Sequence, residues 1–524
     1  MRQVFKSALL AGAAIGLALS TAPATAQDFG ALITFGDSLA DSGNIPGLTG
    51  GANFPPAPYV GNRFSNGPVV PEYLTGLIDI APGANRAVGG AFTGKIGPIG
   101  NSNAVRPGLQ GLANTDVVAQ VDSFLQGGGR VGADDVIYIW GAGPNDYFAA
   151  LSQLATTPPS QVPGVITQTV GNAQANILTA TNKLAAAGAR NFVLGTLPDF
   201  ARTPQFANQG PVTTAAGAFS TAHNQALVGT ANTLSQRGNV TLVDYASLFD
   251  AVQANPAAFG FANVTDQCIQ SACALSPQSA QNQFLFFDGV HPTTAAHQLL
   301  AAATADAIEA PYQTAALAEA EEVAARAFGR DLLGQAGASF MAQEFRSADL
   351  ADIAAPIDAS VAQYGAIELS GGYDRIDFDR SAEMAAAGFD LESNRFSLTA
   401  AYATNGFRIG VSGSYEDGDV QSGRTDADMR AYRGGVFAGL VHGFSPFVNL
   451  YASAALHTGY VDYDLSRDTR IAGQRAQGDT DGWSIGLDAE VRVTQRLLDS
   501  VEIGPIARLG LLNTGLDGFT ETGA

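Results

Sequence analysis

Apolar residues follow two different periods along this chain. Up to about residue 310 they form short continuous runs: Leu32 to Phe35, Val136 to Trp140, Phe192 to Leu194 and Val240 to Val243. Between them lie helix-length stretches such as Ala173 to Ala187 and Ala215 to Gln236. Unbroken apolar strands separated by helices predict a parallel sheet covered on both faces. Gln313 to Arg330 is rich in Ala and Glu, has no Pro, and has Gly329 as its only glycine, which predicts a helical connector.

From about Gly365 the period becomes two. Phe396, Leu398, Ala400 and Tyr402 form one face, and after the turn Thr404-Asn405-Gly406 the same face continues with Phe407, Ile409, Val411, Gly413 and Tyr415. The residues between them, among them Arg395, Ser397, Arg408 and Ser412, are mostly polar, as expected of a hairpin with unlike faces. Similar runs occur near Tyr432 to Val441, Phe447 to Tyr460, Trp483 to Val493 and Val501 to Leu512. Such segments of about ten residues are the signature of an outer-membrane barrel. A soluble β-sandwich is the alternative; aromatics at the strand ends (Tyr402, Phe407, Tyr415, Phe447, Tyr460) favour the barrel.

The amino terminus supports export. Arg2 and Lys6 precede the apolar stretch Ser7 to Leu19, and Ala24-Thr25-Ala26 is a cleavage site, so residues 1–26 are read as a signal peptide. In an exported chain the two cysteines, Cys268 and Cys273, predict one small disulfide loop, with two free thiols as the alternative. The net charge of −21 argues against a nucleic-acid partner.

Four blocks carry chemistry. The first apolar run enters Gly36-Asp37-Ser38-Leu39, which places Ser38 at the carboxyl end of a strand, where open α/β sheets hold their sites. Then follow Asn85-Arg86-Ala87-Val88-Gly89-Gly90-Ala91, Gly143-Pro144-Asn145-Asp146 and Asp288-Gly289-Val290-His291-Pro292. Taken singly, each block has a bland reading as a helix cap, a turn or a surface loop. In this order they resemble the GDSL (SGNH) family of serine esterases and lipases, and the resemblance covers roughly residues 28–310.

That resemblance implies a flavodoxin-like α/β hydrolase domain, with a parallel sheet between helices, over 27–310. It implies Ser38 as nucleophile, His291 as base and Asp288 as the group that orients it. The backbone N–H groups of Ser38 and Gly90 and the side-chain amide of Asn145 would form the oxyanion hole. An exported hydrolase, a helical linker at 311–345 and an antiparallel transmembrane β-barrel portion at 346–524 together look like an autotransporter esterase, anchored in outer-membrane lipid with the enzyme at the cell surface. Only about seven alternating segments are present where the family's barrel resembles a ring of about a dozen. The barrel is therefore expected to be incomplete.

The remaining histidines of the first domain are set aside. His223 is read as structural, and His297 lacks an Asp three residues before it. Gly482-Trp483-Ser484-Ile485-Gly486 matches a nucleophile elbow, but no histidine follows it and its alternation marks a barrel strand. No metal-ligand spacing is found, and no cofactor is expected. The expected activity is hydrolysis of carboxylic, fatty acyl esters through an acyl-enzyme. The rivals are a carbohydrate O-deacetylase using the same site and a non-catalytic adhesin passenger.

Overall fold

The computed structural model describes residues 29–350 and 366–522, less 382–387, 405, 446, 472, 499, 500 and 520. The signal peptide expected at 1–26 lies outside them. The four apolar runs are strands, β1 (Phe29–Gly36), β3 (Val136–Trp140), β4 (Asn191–Gly195) and β5 (Asn239–Val243), and a fifth strand, β2 (Ile80–Asn85), is a mostly exposed segment the apolar pattern does not mark. They pair in parallel in the order β2-β1-β3-β4-β5. The chain steps from β1 to β2 on one side, then returns to the other side of β1 for β3. Connections therefore diverge at the carboxyl ends of β1 and β3, which opens a crevice there.

Helices α1 (Val117–Gln126), α2 (Pro144–Gln153), α3 (Val162–Ala187), α4 (Pro211–Leu234), α5 (Tyr245–Ala254) and α6 (Thr294–Leu350) accompany the sheet. Alternate strand residues face opposite layers, because side chains in a strand alternate. Leu32, Tyr138, Trp140 and Val193 pack with Phe249 of α5 and Leu300 and Ile308 of α6. Ile33, Phe35, Ile139 and Leu194 pack on the other face with Val121, Leu184 and Leu227 of α1, α3 and α4. Burial on both faces is why these runs read as continuously apolar.

Residues 311–345, expected as a helical linker, are part of a helix that starts earlier. Helix α6 begins inside the hydrolase domain and runs 57 residues without a break. Its Ile308 belongs to the hydrolase core, while Ala316 and Leu317 already belong to the barrel core. Between them Tyr312 meets Phe29 edge-on, with ring centroids 5.5 Å apart. Pro lacks an N–H and restricts its predecessor, so local propensity disfavours helix at Ala310-Pro311. Here Pro311 lies on the exposed side and the helix passes through it.

The second sheet is antiparallel throughout: β6 (Ala366–Arg380), β7 (Phe389–Ala403), β8 (Phe407–Ser422), β9 (Thr425–Ser445), β10 (Val448–Asp468) and β11 (Arg475–Leu498). The seventh line of pairing comes in two pieces, β12 (Val501–Ile503) and β13 (Ile506–Leu516), both on β11. Among the described residues, β6 and β13 are not paired with each other.

The predicted apolar face points outward: Phe396, Leu398, Tyr402, Ile409 and Val411 are exposed, Leu398 by 76%. Arg395, Arg408, Glu416 and Arg433 point inward and are buried. Helix α6 fills that interior, and Arg433 ion-pairs with Glu321 of α6 and Glu416 of β8. Removing one member would leave a buried charge uncompensated. Toward one end the polarity inverts. Phe389, Leu391, Met429 and Tyr463 pack inward on Leu317. Outside, Asp377, Glu392, Asp419, Asp428, Asp464 and Asp479 stand in register across six strands. A row of carboxylates cannot lie in hydrocarbon, so it marks where the lipid-facing band ends. The hydrolase domain sits at this same end. Arg470, in the β10–β11 connection, ion-pairs with Asp306 at 2.7 Å and Glu309 at 2.8 Å.

Candidate active site

Strand β1 ends at Gly36, and the chain turns at once, with the N–H groups of Ala40 and Asp41 both donating to the Asp37 carbonyl. This presents Ser38 at the mouth of the crevice. Its Oγ lies 2.7 Å from His291 Nε2, although the two residues are 253 positions apart in the chain. His291 Nδ1 lies 2.6 Å from Asp288 Oδ2. The other carboxylate oxygen accepts the N–H groups of Val290 at 2.9 Å and His291 at 2.8 Å, which fixes the loop around its own acid. A further donor is Tyr59, whose hydroxyl reaches Asp288 Oδ2 at 2.6 Å.

Burial alone would raise the Asp288 carboxyl, but the His291 charge and the hydrogen bonds from His291, Tyr59 and Val290 pull it down to about 2. Burial alone would lower His291. The carboxylates of Asp288 and Asp37 outweigh it and raise the imidazole above its ordinary value. The site thus combines a firmly ionised acid with a base of strengthened proton affinity.

Gly89 and Gly90 lie beside Ser38. Asp41 Oδ2 accepts the Gly89 N–H at 2.8 Å, and its Oδ1 accepts those of Gly43 and Asn44. Gly90 has φ +85°, and a Cβ there would come within 2.3 Å of Asn103 Nδ2. A Cβ on Gly89 would stand 1.9 Å from the Phe64 ring. Both positions require glycine on these grounds. No protein acceptor takes the N–H of Ser38 or of Gly90 among the described residues. Asn145 opens α2, and its Nδ2 donates to Asp37 Oδ2 at 2.8 Å, leaving the second amide hydrogen to the cleft. Ser38, Gly90, Asn145 and His291 line one cleft of about 360 Å³, walled by Phe54, Phe64, Phe148 and Phe200.

All the residues singled out in the sequence for acid, base, nucleophile and oxyanion roles therefore converge. Cys268 and Cys273 form a disulfide, which packs on Phe287, the neighbour of Asp288. His223 is buried against Tyr147, whose hydroxyl is 2.7 Å from Nδ1, and burial depresses it to about 3. His297 is fully buried beside Trp140, and burial with the nearby His291 charge likewise holds it at about 3. Ser484 lies in strand β11 on the buried side, as its alternation requires.

Sequence reasoning did not single out Asp37, Asp41, Tyr59 or Asp146 for a role. Asp146 accepts both the N–H and the hydroxyl of Thr93 and so pins the segment after Gly90. The signal for Asp37, Asp41 and Asp146 was their place inside or beside the blocks. Tyr59 carries no such signal.

Comparison with known proteins places each half of the chain in a family. The model of the GDSL-like Lipase/Acylhydrolase family matches residues 32–304, and that of the Autotransporter beta-domain matches residues 365–524. Esterase EstA of Pseudomonas aeruginosa is 28% identical, over 98% of this chain and 81% of its own length. The phosphatidylcholine-sterol acyltransferase of Aeromonas hydrophila is 28% identical, over 54% of this chain and 92% of its own. Among solved structures, the translocator domain of the autotransporter NalP from Neisseria meningitidis matches with a TM-score of 0.28 at 14% identity, covering 41% of this chain and 64% of that one. The protein is a carboxylic ester hydrolase displayed at the cell surface from an outer-membrane anchor, which sets the adhesin reading aside. Matched over more than half its length, the chain belongs to the GDSL-like lipase/acylhydrolase family and carries an autotransporter β-domain behind its hydrolase domain.

Proposed function

We propose that this hydrolase, the passenger spanning 27–310, cleaves fatty acyl esters by a two-step route through an acyl-enzyme on Ser38. Ser38 Oγ attacks the ester carbonyl carbon while its proton passes to His291 Nε2. Asp288 keeps the other imidazole nitrogen protonated and stabilises the imidazolium. The carbonyl oxygen becomes an oxyanion and accepts from the N–H groups of Ser38 and Gly90 and from the free amide hydrogen of Asn145. Collapse breaks the bond to the alkoxy oxygen, which takes the proton from Nε2 and leaves as the alcohol. Water then gives a proton to Nε2 and attacks the acyl-Ser38 carbonyl. The second collapse returns the proton to Oγ and releases the acid.

The observation that carries this reading is the unbroken line from Ser38 Oγ through both ring nitrogens to Asp288, at 2.7 and 2.6 Å. Support for an acyl group longer than acetyl comes from the four phenylalanines of the cleft. Aromatic walls bind alkyl chains by burying apolar surface, about 0.8 kcal/mol per methylene.

Two measurements test the proposal. Ser38→Ala should lower kcat by about 10⁶ without unfolding the domain; activity within tenfold of wild type would exclude Ser38 as nucleophile. In a series of p-nitrophenyl esters, kcat/KM should rise from acetyl to butyryl and beyond. Activity confined to acetyl would make the enzyme a deacetylase instead.

A further inference from the structure

Tyr59 stands outside the four sequence blocks, yet it touches the acid of the site. Its hydroxyl donates to Asp288 Oδ2 at 2.6 Å, the same oxygen that faces His291 Nδ1 at 2.6 Å. One oxygen therefore serves two donors, and what Tyr59 takes of its charge is not available to the imidazolium. The ring is held from both sides, by Phe287 at 5.3 Å and by Phe64 at 6.1 Å between centroids. Phe64 in turn lies 5.2 Å from the His291 ring. Tyr59 also lines the cleft beside Phe54 and Pro56.

We infer that Tyr59 is a positioning residue for the base: its hydrogen bond holds the Asp288 carboxylate in place and moderates how strongly that carboxylate retains the proton on His291. The inference rests on the proposed roles of Ser38, His291 and Asp288.

The sign follows from the geometry. A donor on Oδ2 stabilises the anion and shares its charge, so it weakens the attraction of Asp288 for the imidazolium proton. Without the donor, His291 holds its proton to higher pH. It then acts as a base only at higher pH, and the acid limb of kcat/KM moves up. The other charged or titratable groups around His291 are Asp37, on the turn after β1, which favours the imidazolium when ionised but which burial raises to about 8, and His297 on α6, which burial keeps neutral. Neither is hydrogen-bonded to Tyr59, so both are common to every variant compared, and altering the phenol reaches His291 through Asp288.

The Tyr59 hydroxyl itself stays protonated throughout, since burial and the Asp288 charge both push its pKa up. It is therefore a permanent donor and does not titrate with the base. An aromatic residue without the hydroxyl would keep the packing on Phe287 and Phe64 and lose only the bond.

The test compares the full chain in detergent micelles as wild type, as Tyr59→Phe, and with Tyr59 replaced site-specifically by 3-fluorotyrosine. The readout is kcat and KM for p-nitrophenyl butyrate from about pH 5 to about pH 9, a range that brackets an imidazole. Tyr59→Phe should move the acid limb up by about half to one pH unit, lower plateau kcat by about three- to tenfold and leave KM within about twofold. The fluorinated phenol is more acidic and donates more strongly, so it should move the limb the opposite way. If the phenylalanine variant does not fold, the fluorinated one, of nearly equal volume, decides alone. An acid limb that stays at the wild-type pH in every folded variant would overturn the inference, whatever happens to the plateau. Because Tyr59→Phe leaves Ser38 intact, that result would not touch the hydrolytic reading, which falls only if Ser38→Ala remains active.

Discussion

Asn145 donates its side-chain amide to Asp37 at 2.8 Å, across 108 residues of chain. Asp37 is itself buried, and its other oxygen accepts the Leu39 N–H at 3.0 Å. The residue next to the proposed nucleophile thus fixes which way the amide of Asn145 points. Its nitrogen is turned to Asp37, so its second hydrogen is free for an oxyanion that exists only in the transition state. Asn145→Ala should therefore lower kcat by about 10²–10³ with KM little changed. Asp37→Asn leaves one acceptor oxygen for two donors, so either the Leu39 N–H beside the nucleophile or the Asn145 amide loses its partner. A fall in kcat of at least about tenfold is expected there too. Steady-state kinetics on both variants decides. A raised KM with kcat intact would make Asn145 a binding residue.

Gly90→Ala tests the second donor. The position has φ +85°, where a residue with a Cβ costs about 1–3 kcal/mol. The added carbon would also press on Asn103 Nδ2, at 2.3 Å, and Asn101 Oδ1, at 2.7 Å. The amides of Asn101 and Asn103 both donate to the Gly89 carbonyl, so the disturbance passes into the proposed oxyanion hole. Activity should fall by about 10² or more, while the thermal midpoint drops only by several degrees. A variant with wild-type kcat would remove Gly90 from the mechanism.

Much of this is legible in the sequence alone, for physical reasons that differ from place to place. Leu32 to Phe35 and Val136 to Trp140 are buried on both faces, so their sequence alone marks them as interior parallel strands. Phe396 to Tyr402 alternates because one face meets lipid and the other meets α6. The four blocks were readable because glycine, asparagine and the Asp-x-x-His spacing are each demanded locally. Two things were not. The continuity of α6 was hidden by Pro311, since local propensity says stop, while packing on both domains keeps the helix going. Tyr59 was hidden because its role depends on a contact 229 residues away, and nothing in the local sequence around a tyrosine announces such a partner.

His297 offers a prediction about pH. Its two ring nitrogens are buried with no hydrogen-bond partner, and it stays neutral down to about 3. In the unfolded chain it would titrate near about 6.5. Its contribution to stability is therefore complete above that value and is lost as pH falls from about 6.5 toward 3. Each unit in that window costs about 1.4 kcal/mol. His297→Leu should abolish this share, so that on going from pH 7 to pH 5 the variant loses about 2 kcal/mol less than wild type. At pH 7 it should be no less stable, because two orphaned polar atoms are gone. Burial raises Asp41 and Asp146 to about 6; they act with the opposite sign in both proteins and cancel in the difference. Inactivation midpoints at the two pH values would show it, and equal pH dependence of the two proteins would exclude it.

Where the hydrolase can be separated from its anchor follows from which core each turn of α6 serves. Ala305 and Ile308 pack beneath the sheet with Leu32 and Trp140, and Tyr312 covers Phe29. From Ala316 to Ala336 the helix's buried apolar side chains pack inside the barrel, beginning with Ala316, Leu317 and Ala320 against Phe389 and Tyr463. A fragment 27–315 keeps every turn that serves the first core and exposes none that serves the second. It should be soluble and hydrolyse p-nitrophenyl butyrate with kcat within about threefold of the full chain, since no barrel residue lines the cleft. Removing the barrel also removes Arg470 from Asp306 and Glu309, but both carboxylates then face water, where an isolated charge costs little. A fragment ending at residue 303 loses Ala305, Ile308 and Tyr312. Ile308 is then missing from a core that buries it and Tyr312 no longer half-covers Phe29, a loss of about 2–4 kcal/mol, a large share of the stability of many domains. It should aggregate or lose activity on mild warming. Soluble, fully active protein from 27–303 would show that the last turns of the helix belong to the anchor after all.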